Sequence, residues 1–225
     1  IPPCASSISF RTAFIVQGNS RAEEVLNTNS TWKCIRDNAY QPLPGYFAAS
    51  TGEMVDMNQT VPGWNKLEFD DSAWTDAINL FAGVIKGSSD GFGFELVPSA
   101  LPPREMTYQR IPALRQVSGI PAPAGFPGRR VHFIIPANTQ ATLLLDQTFE
   151  TNAYVTLNYS GGKGAGISLS YAETLYDYYS RRGIRQENRK GNRNEVKGKE
   201  FSGREDSVVS NGKINQSYTT LNFRT

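Results

Sequence analysis

The only histidine, His132, sits in the apolar run Val131–Pro136. A Ser-His-Asp relay needs an imidazole held by a carboxylate beside a nucleophile. A lone histidine in an apolar strand reads instead as a packed side chain bonded to a backbone carbonyl. Asp70 and Asp71 are neighbours in Phe69-Asp-Asp-Ser-Ala-Trp74. Glycosidase carboxylates face each other across the scissile bond, about 5–9.5 Å apart, whereas adjacent aspartates before a serine are turn formers that accept bonds from the following N–H groups. The glycine-rich Gly161–Gly166 lacks the Gly-Lys-Ser/Thr that opens a helix under a bound phosphate, and reads as a hairpin loop. Arg181–Lys199 holds eight Lys+Arg and two Glu, but few aromatics follow Tyr179. A long solvated loop explains it better than a nucleic-acid surface. No catalytic residue and no nucleic-acid partner are expected.

The residue types favour binding instead. Trp32, Trp64, Tyr40 and Tyr46 share one segment with Asp37, Asn38, Glu53 and Asp56. Flat rings suit the faces of sugars, carboxamides and carboxylates suit their hydroxyls, and the carboxylates could hold Ca²⁺. The competing reading puts both tryptophans in a core. Asp37, Asn38 and Trp64 are the carbohydrate-binding candidates, no cofactor is required, and the metal ligands are unassigned. Cys4 and Cys34 are either one disulfide of an exported protein or two small buried thiols. The sequons at Asn29, Asn58, Asn158 and Asn215 matter only in a eukaryotic secretory host.

The elements that would position these residues are strands. Short apolar runs between Gly, Pro, Asn and Asp predict Ser9–Gln17, Thr31–Arg36, Phe92–Val97, Val131–Pro136, Ala141–Phe149, Ala153–Tyr159, Ile167–Glu173 and Tyr218–Phe223 as strands. Ala153–Tyr159 and Ile167–Glu173 are expected to pair across the Ser160–Gly166 loop. Tyr40–Phe47 reads as a loop. In Val61–Trp74, Trp74 would pin a short helical turn onto a sheet.

The chain has 225 residues, 39% hydrophobic and 20% charged, a globular composition without a membrane-spanning apolar run. Residues 1–110 carry 8 Lys+Arg against 12 Asp+Glu, and residues 111–225 carry 15 against 9. That reversal, with a proline-rich, linker-like 111–128, places a domain boundary near Arg110. The expected fold is all-β, two consecutive β-sandwich (jelly-roll, galactose-binding-like) domains. The first, 1–110, would be incomplete at its N-terminus; the second, 111–225, would be truncated in its last strand. Ile1 looks like a processed end, and a sandwich stopping inside its closing strand implies a polypeptide that continues.

Several segments resemble bacterial α-L-rhamnosidases. Asn27–Lys33 is similar to the family's T-D-E-T-W-K strand. Gly52-Glu-Met-Val-Asp56, Gly63-Trp-Asn65 and Phe69-Asp-Asp-Ser-Ala-Trp74 resemble its G-E-x-x-D … G-W-x … F-D-D-S-x-W segment. Pro102–Met106 resembles the turn into the next domain. Leu144–Asp146, Gly164–Glu173 and Thr220–Thr225 resemble its second β-domain. The resemblance implies sandwiches preceding an (α/α)₆ barrel whose carboxylates hydrolyse terminal α-L-rhamnosides with inversion. The chain would then be a non-catalytic accessory region of a periplasmic or extracellular hydrolase. Its partners would be L-rhamnose-containing glycans and a C-terminal catalytic domain. Some relatives bind sugar and Ca²⁺ on an N-terminal sandwich, where Asp37-Asn38 would be the counterpart. The alternative is a stand-alone carbohydrate-binding or adhesion module.

Overall fold

The computed structural model describes residues 14, 20, 22–44, 51–80, 84–85, 95–96, 100–102, 105–178, 189–190, 192 and 194–224. Apart from a 3-10 turn at Ala22–Leu26, every regular element among them is a β-strand, as expected for an all-β protein. No helix of the described residues is long and apolar enough to cross a membrane. In chain order the strands are β1 (Lys33–Cys34), β2 (Tyr40–Pro42), β3 (Glu53–Asp56), β4 (Thr75–Asp76), β5 (Val84–Ile85), β6 (Glu95–Leu96), β7 (Ala113–Ser118), β8 (Thr142–Asp146), β9 (Thr156–Tyr159), β10 (Gly166–Tyr171), β11 (Tyr176–Tyr178), β12 (Arg189–Lys190), β13 (Arg204–Val209) and β14 (Gln216–Thr219). Contacts group them into two units, residues 1–37 with 61–106 and residues 38–60 with 107–225.

In the first unit β1 pairs antiparallel with β4, and β5 pairs parallel with β6. Lys33 stands opposite Asp76, and their side chains meet at 2.6 Å. The segment Val61–Trp74 is built of turns rather than a helical turn. Gly63 supplies a left-handed φ of 78°. The Asp70 carboxylate accepts the Ser72 N–H at 3.0 Å, the role its position predicted. Trp74 then packs edge-on against Phe69, with ring centroids 5.4 Å apart. Most of Ser9–Gln17 and of Phe92–Val97, and residues 45–47, lie outside the described residues.

The second unit holds a four-stranded sheet in the order β10-β13-β3-β2 and a two-stranded sheet β14-β9. Val55, Val208, Ile167 and Leu169 from the first sheet meet Leu157, Tyr159 and Tyr218 from the second in one core, closed by Tyr40 and Met57. Alternation sets which side chains enter: along β10, Ile167, Leu169 and Tyr171 are half-buried while Ser168 and Ser170 are exposed. β7 and β8 form a separate antiparallel pair, and β11 pairs with β12.

Four expectations are corrected here. Tyr40–Pro42 is a strand, not a loop, because its backbone pairs with β3. Residues 111–128 are not simply a linker: Ala113–Ser118 is a strand paired to β8 across a bulge. Val131–Pro136 forms no strand, and Phe133, Ile134 and Ile135 are exposed. Most consequentially, β9 and β10 do not pair as a hairpin. β9 pairs with β14 and β10 with β13. The glycine loop between β9 and β10 is therefore an arch from one sheet to the other, and the loop between β13 and β14 is a second. The two are laced together: Gly161 N–H donates to the Lys213 carbonyl (2.9 Å), Gly164 N–H to the Ser210 carbonyl (2.8 Å) and the Ser210 hydroxyl to the Gly161 carbonyl (2.7 Å). These bonds satisfy polar groups that a hairpin would have paired within itself.

β3 runs parallel to β13 with Met54, Val55 and Asp56 opposite Ser207, Val208 and Val209. A Cβ on Gly52 would lie 1.9 Å from the Glu205 carbonyl oxygen, so only glycine lets the two backbones approach there. Gly166, on β10, has open space at the same position. Gly52→Ala should lower the urea midpoint, at a cost of about 1–3 kcal/mol. Gly166→Ala should stay within about 0.5 kcal/mol of the parent.

Candidate functional site

The most organised polar constellation lies inside the second unit and joins three strands, β3, β13 and β14. Arg224, 2% exposed, pairs with Ala153 in an isolated bridge ahead of β9, the two backbones exchanging bonds of 2.9 and 2.8 Å. Its guanidinium grips Asp206 of β13 with two bonds, Nε to Oδ2 and Nη2 to Oδ1, both 2.7 Å. The same Nη2 donates to Glu53 Oε1 of β3 at 2.9 Å. The Tyr218 hydroxyl of β14 donates to Glu53 Oε2 at 2.9 Å. Leu221 N–H (2.9 Å) and Asn222 N–H (3.3 Å) donate to Glu53 Oε1, and Glu53 N–H donates to Asp206 Oδ1 at 2.8 Å. Asp206 is 0% and Glu53 7% exposed.

This chemistry is closed. Two carboxylates bonded to one guanidinium nitrogen leave no room for a glycosidic oxygen and a water between them. Every bond described ties one part of the second unit to another. Glu53, placed by its sequence neighbours beside the aromatic rim, is in fact a buried ligand of Arg224. Asp56 is likewise occupied: its carboxylate accepts from Gln59, from the Asn58 side chain and from the Asn58 N–H, which hold it below the usual carboxylate range. Tyr40 packs on the core of the second unit, and Tyr46 lies outside the described residues.

The open surface is aromatic. Trp64 is 63% and Trp32 39% exposed, so neither is a core residue. Phe14 lies beside Trp32, with ring centroids 6.3 Å apart. Asp37 and Asn38 are exposed loop residues; Asp37 and Trp64 belong to the first unit and Asn38 opens the second. No hydrogen bond or ring contact joins Trp64 to Asp37 among the described residues. Nor do the described residues gather three or more His, Cys, Asp and Glu side chains into a metal-binding group. Cys34 is an exposed free thiol rather than a buried one, and Cys4 lies outside the described residues. His132 is exposed on the unpaired segment, away from the packed position expected for it. Comparison with known protein families, curated proteins and solved structures finds no match to this chain.

Arg224 was missed because nothing near it in sequence marks it: its ligand Glu53 is 171 positions away. A buried guanidinium leaves two carboxylates uncompensated when removed. Arg224→Met should therefore cost about 3–5 kcal/mol in denaturant unfolding. Adding Glu53→Gln and Asp206→Asn should recover part of that loss, since no buried charge then remains.

Tyr218 and Tyr171 line the same cluster. Burial, then the charge of Asp206, pushes both phenols above the ordinary tyrosine value. The folded state thus holds these protons more tightly than the unfolded chain. The stability they contribute is complete below the unfolded value of about 10 and is lost as pH rises from there through the folded values. Denaturation midpoints should fall above about pH 10, with a shallower fall in Tyr218→Phe. Tyrosinate absorbance should show these two rings ionising only on unfolding.

Proposed function

We propose that this chain is a non-catalytic β-sandwich region of a larger, exported α-L-rhamnosidase, whose carboxylate chemistry resides in another domain of the polypeptide. One observation carries the reading: the buried carboxylates Glu53 and Asp206 are both bound by Arg224, while the tryptophan of the Gly63-Trp-Asn65 motif stands 63% exposed. Acid–base work needs groups that meet a substrate; stacking needs a ring that does. The turns around Trp64 support the same reading. Asp70 and the Phe69–Trp74 ring pair shape the segment that carries the Phe-Asp-Asp-Ser-Ala-Trp resemblance. In this role the first unit offers Trp64 as a platform and Asp37 as a candidate hydroxyl-binding group, Asn38 of the second unit is a candidate in its own right, and Ca²⁺ is a candidate co-ligand.

The chain alone should not turn over p-nitrophenyl α-L-rhamnoside; turnover above a heat-inactivated sample would end the proposal. Calorimetric titration with L-rhamnose, with and without Ca²⁺, should show weak binding, about millimolar to micromolar. Trp64→Ala and Asp37→Ala should each abolish it at unchanged melting temperature, because both residues are exposed.

A further inference from the structure

The arch between β13 and β14 carries the sequence's single Asn-Gly pair, Asn211-Gly212. The fold requires both residues. Gly212 has a φ of 82°, and a Cβ there would lie 2.7 Å from the Lys163 Cβ of the neighbouring arch, so a side chain is excluded twice over. Asn211 uses both halves of its amide. Nδ2 donates to the Met57 carbonyl, just beyond β3, at 3.1 Å, and Oδ1 accepts the Lys213 N–H at 3.0 Å. A carbonyl on one side and an N–H on the other fix which atom is which. The Gly212 N–H donates to the hydroxyl of Ser210, itself 1% exposed, at 3.1 Å.

Asn-Gly is also the dipeptide in which an asparagine amide is most easily lost, because no side chain hinders the nitrogen that follows. In that reaction the Gly212 nitrogen gives up its proton and bonds to the Asn211 Cγ. The Cγ–Nδ2 bond breaks, the amide leaves as ammonia, and a five-membered imide closes. Water then opens the imide at either carbonyl. The product is aspartate or, with the chain rerouted through the side chain, isoaspartate. In the folded chain each reacting group is held: the attacking N–H by Ser210, the leaving amide by Met57 and the side-chain carbonyl by Lys213.

We propose that Asn211-Gly212 is a shielded deamidation site that records opening of the paired arches. While the arches are laced the imide does not close. Once the Ser210, Met57 and Lys213 bonds part, it closes as it would in an unstructured chain, and the product bars the way back. An aspartate at this half-buried position has no hydrogen to donate, so it faces the Met57 carbonyl with a charge in place of a bond. Isoaspartate adds a methylene to the main chain beside Lys213, whose carbonyl must reach the Gly161 N–H of the other arch. A reversible excursion thereby becomes a permanent change. The site lies in the second unit and does not depend on what the protein binds.

The test ages the whole 225-residue chain in mildly alkaline buffer, with and without denaturing guanidinium chloride. Peptide mass spectrometry reads the conversion of Asn211 to the acid, and labelling by an isoaspartyl methyltransferase reads the rearranged product. Conversion at Asn211 should be at least about tenfold slower in the native chain, since it must wait for local opening. After the denaturant is removed, the converted fraction should melt below the parent. Asn211→Asp should also melt below the parent, or fail to fold. Equal rates with and without denaturant would overturn the shielding. Parental melting of both Asn211→Asp and the isoaspartyl fraction would overturn the one-way change.

Discussion

The second unit depends on one guanidinium. Arg224 holds Asp206 of β13 and Glu53 of β3 at once, and Glu53 in turn receives Tyr218 of β14. Desolvating these charges is expensive, and an apolar cluster of equal volume would often be as stable. What the ions provide is selection among arrangements. β3 carries only four residues, and its parallel pairing to β13 could slide. A slip of one residue would turn Glu53 toward solvent and Met54 inward, stranding Arg224 with one carboxylate in place of two. The charges thus fix the register that places Val55 against Val208 in the core.

The same closure separates what this protein holds together from what it presents. Glu53 and Asp206 face inward, and Asp56 and Asp70 are spent on turns. Its exposed rings and hydroxyls lie elsewhere, on Trp64 in the first unit and along β9 and β14 in the second. Recognition of a ligand whose bonds are not being broken calls for preorganised contacts rather than titrating groups.

Local patterns in the sequence were legible wherever alternation is strong. Leu157 and Tyr159, and Ile167 and Leu169, point inward as their period of two requires, and the Asp70 turn follows from Asp-Ser spacing. Partner choice was not legible. A glycine-rich loop such as Gly161–Gly166 serves a hairpin or an arch equally well, and the decision rests with Ser210 and Lys213, about fifty residues further on. Proline content suggested a linker at 111–128, but the prolines flank β7 rather than interrupt it. The exposure of Trp64 was left open by its sequence, because an indole beside a Pro-Gly turn fits a core edge as readily as a rim. The buried role of Glu53 was hidden altogether, since nothing in Gly52–Asp56 distinguishes a paired carboxylate from a solvated one.

The parallel seating of β3 against β13 gives the molecule a history as well as a shape. Glu53 waits 153 positions for Asp206, and residues 61–106 go off to the other unit in between. Such contacts raise contact order and slow the search for the native pairing. On the ribosome, at about 5–20 residues per second, β3 emerges roughly 8–30 seconds before its partner exists. Through that interval Val55 and the glycine-flanked backbone beside it form an unpaired strand, open to any other chain that offers an edge. No single cut frees either unit whole, so these long closures must be made by the complete chain, late and together.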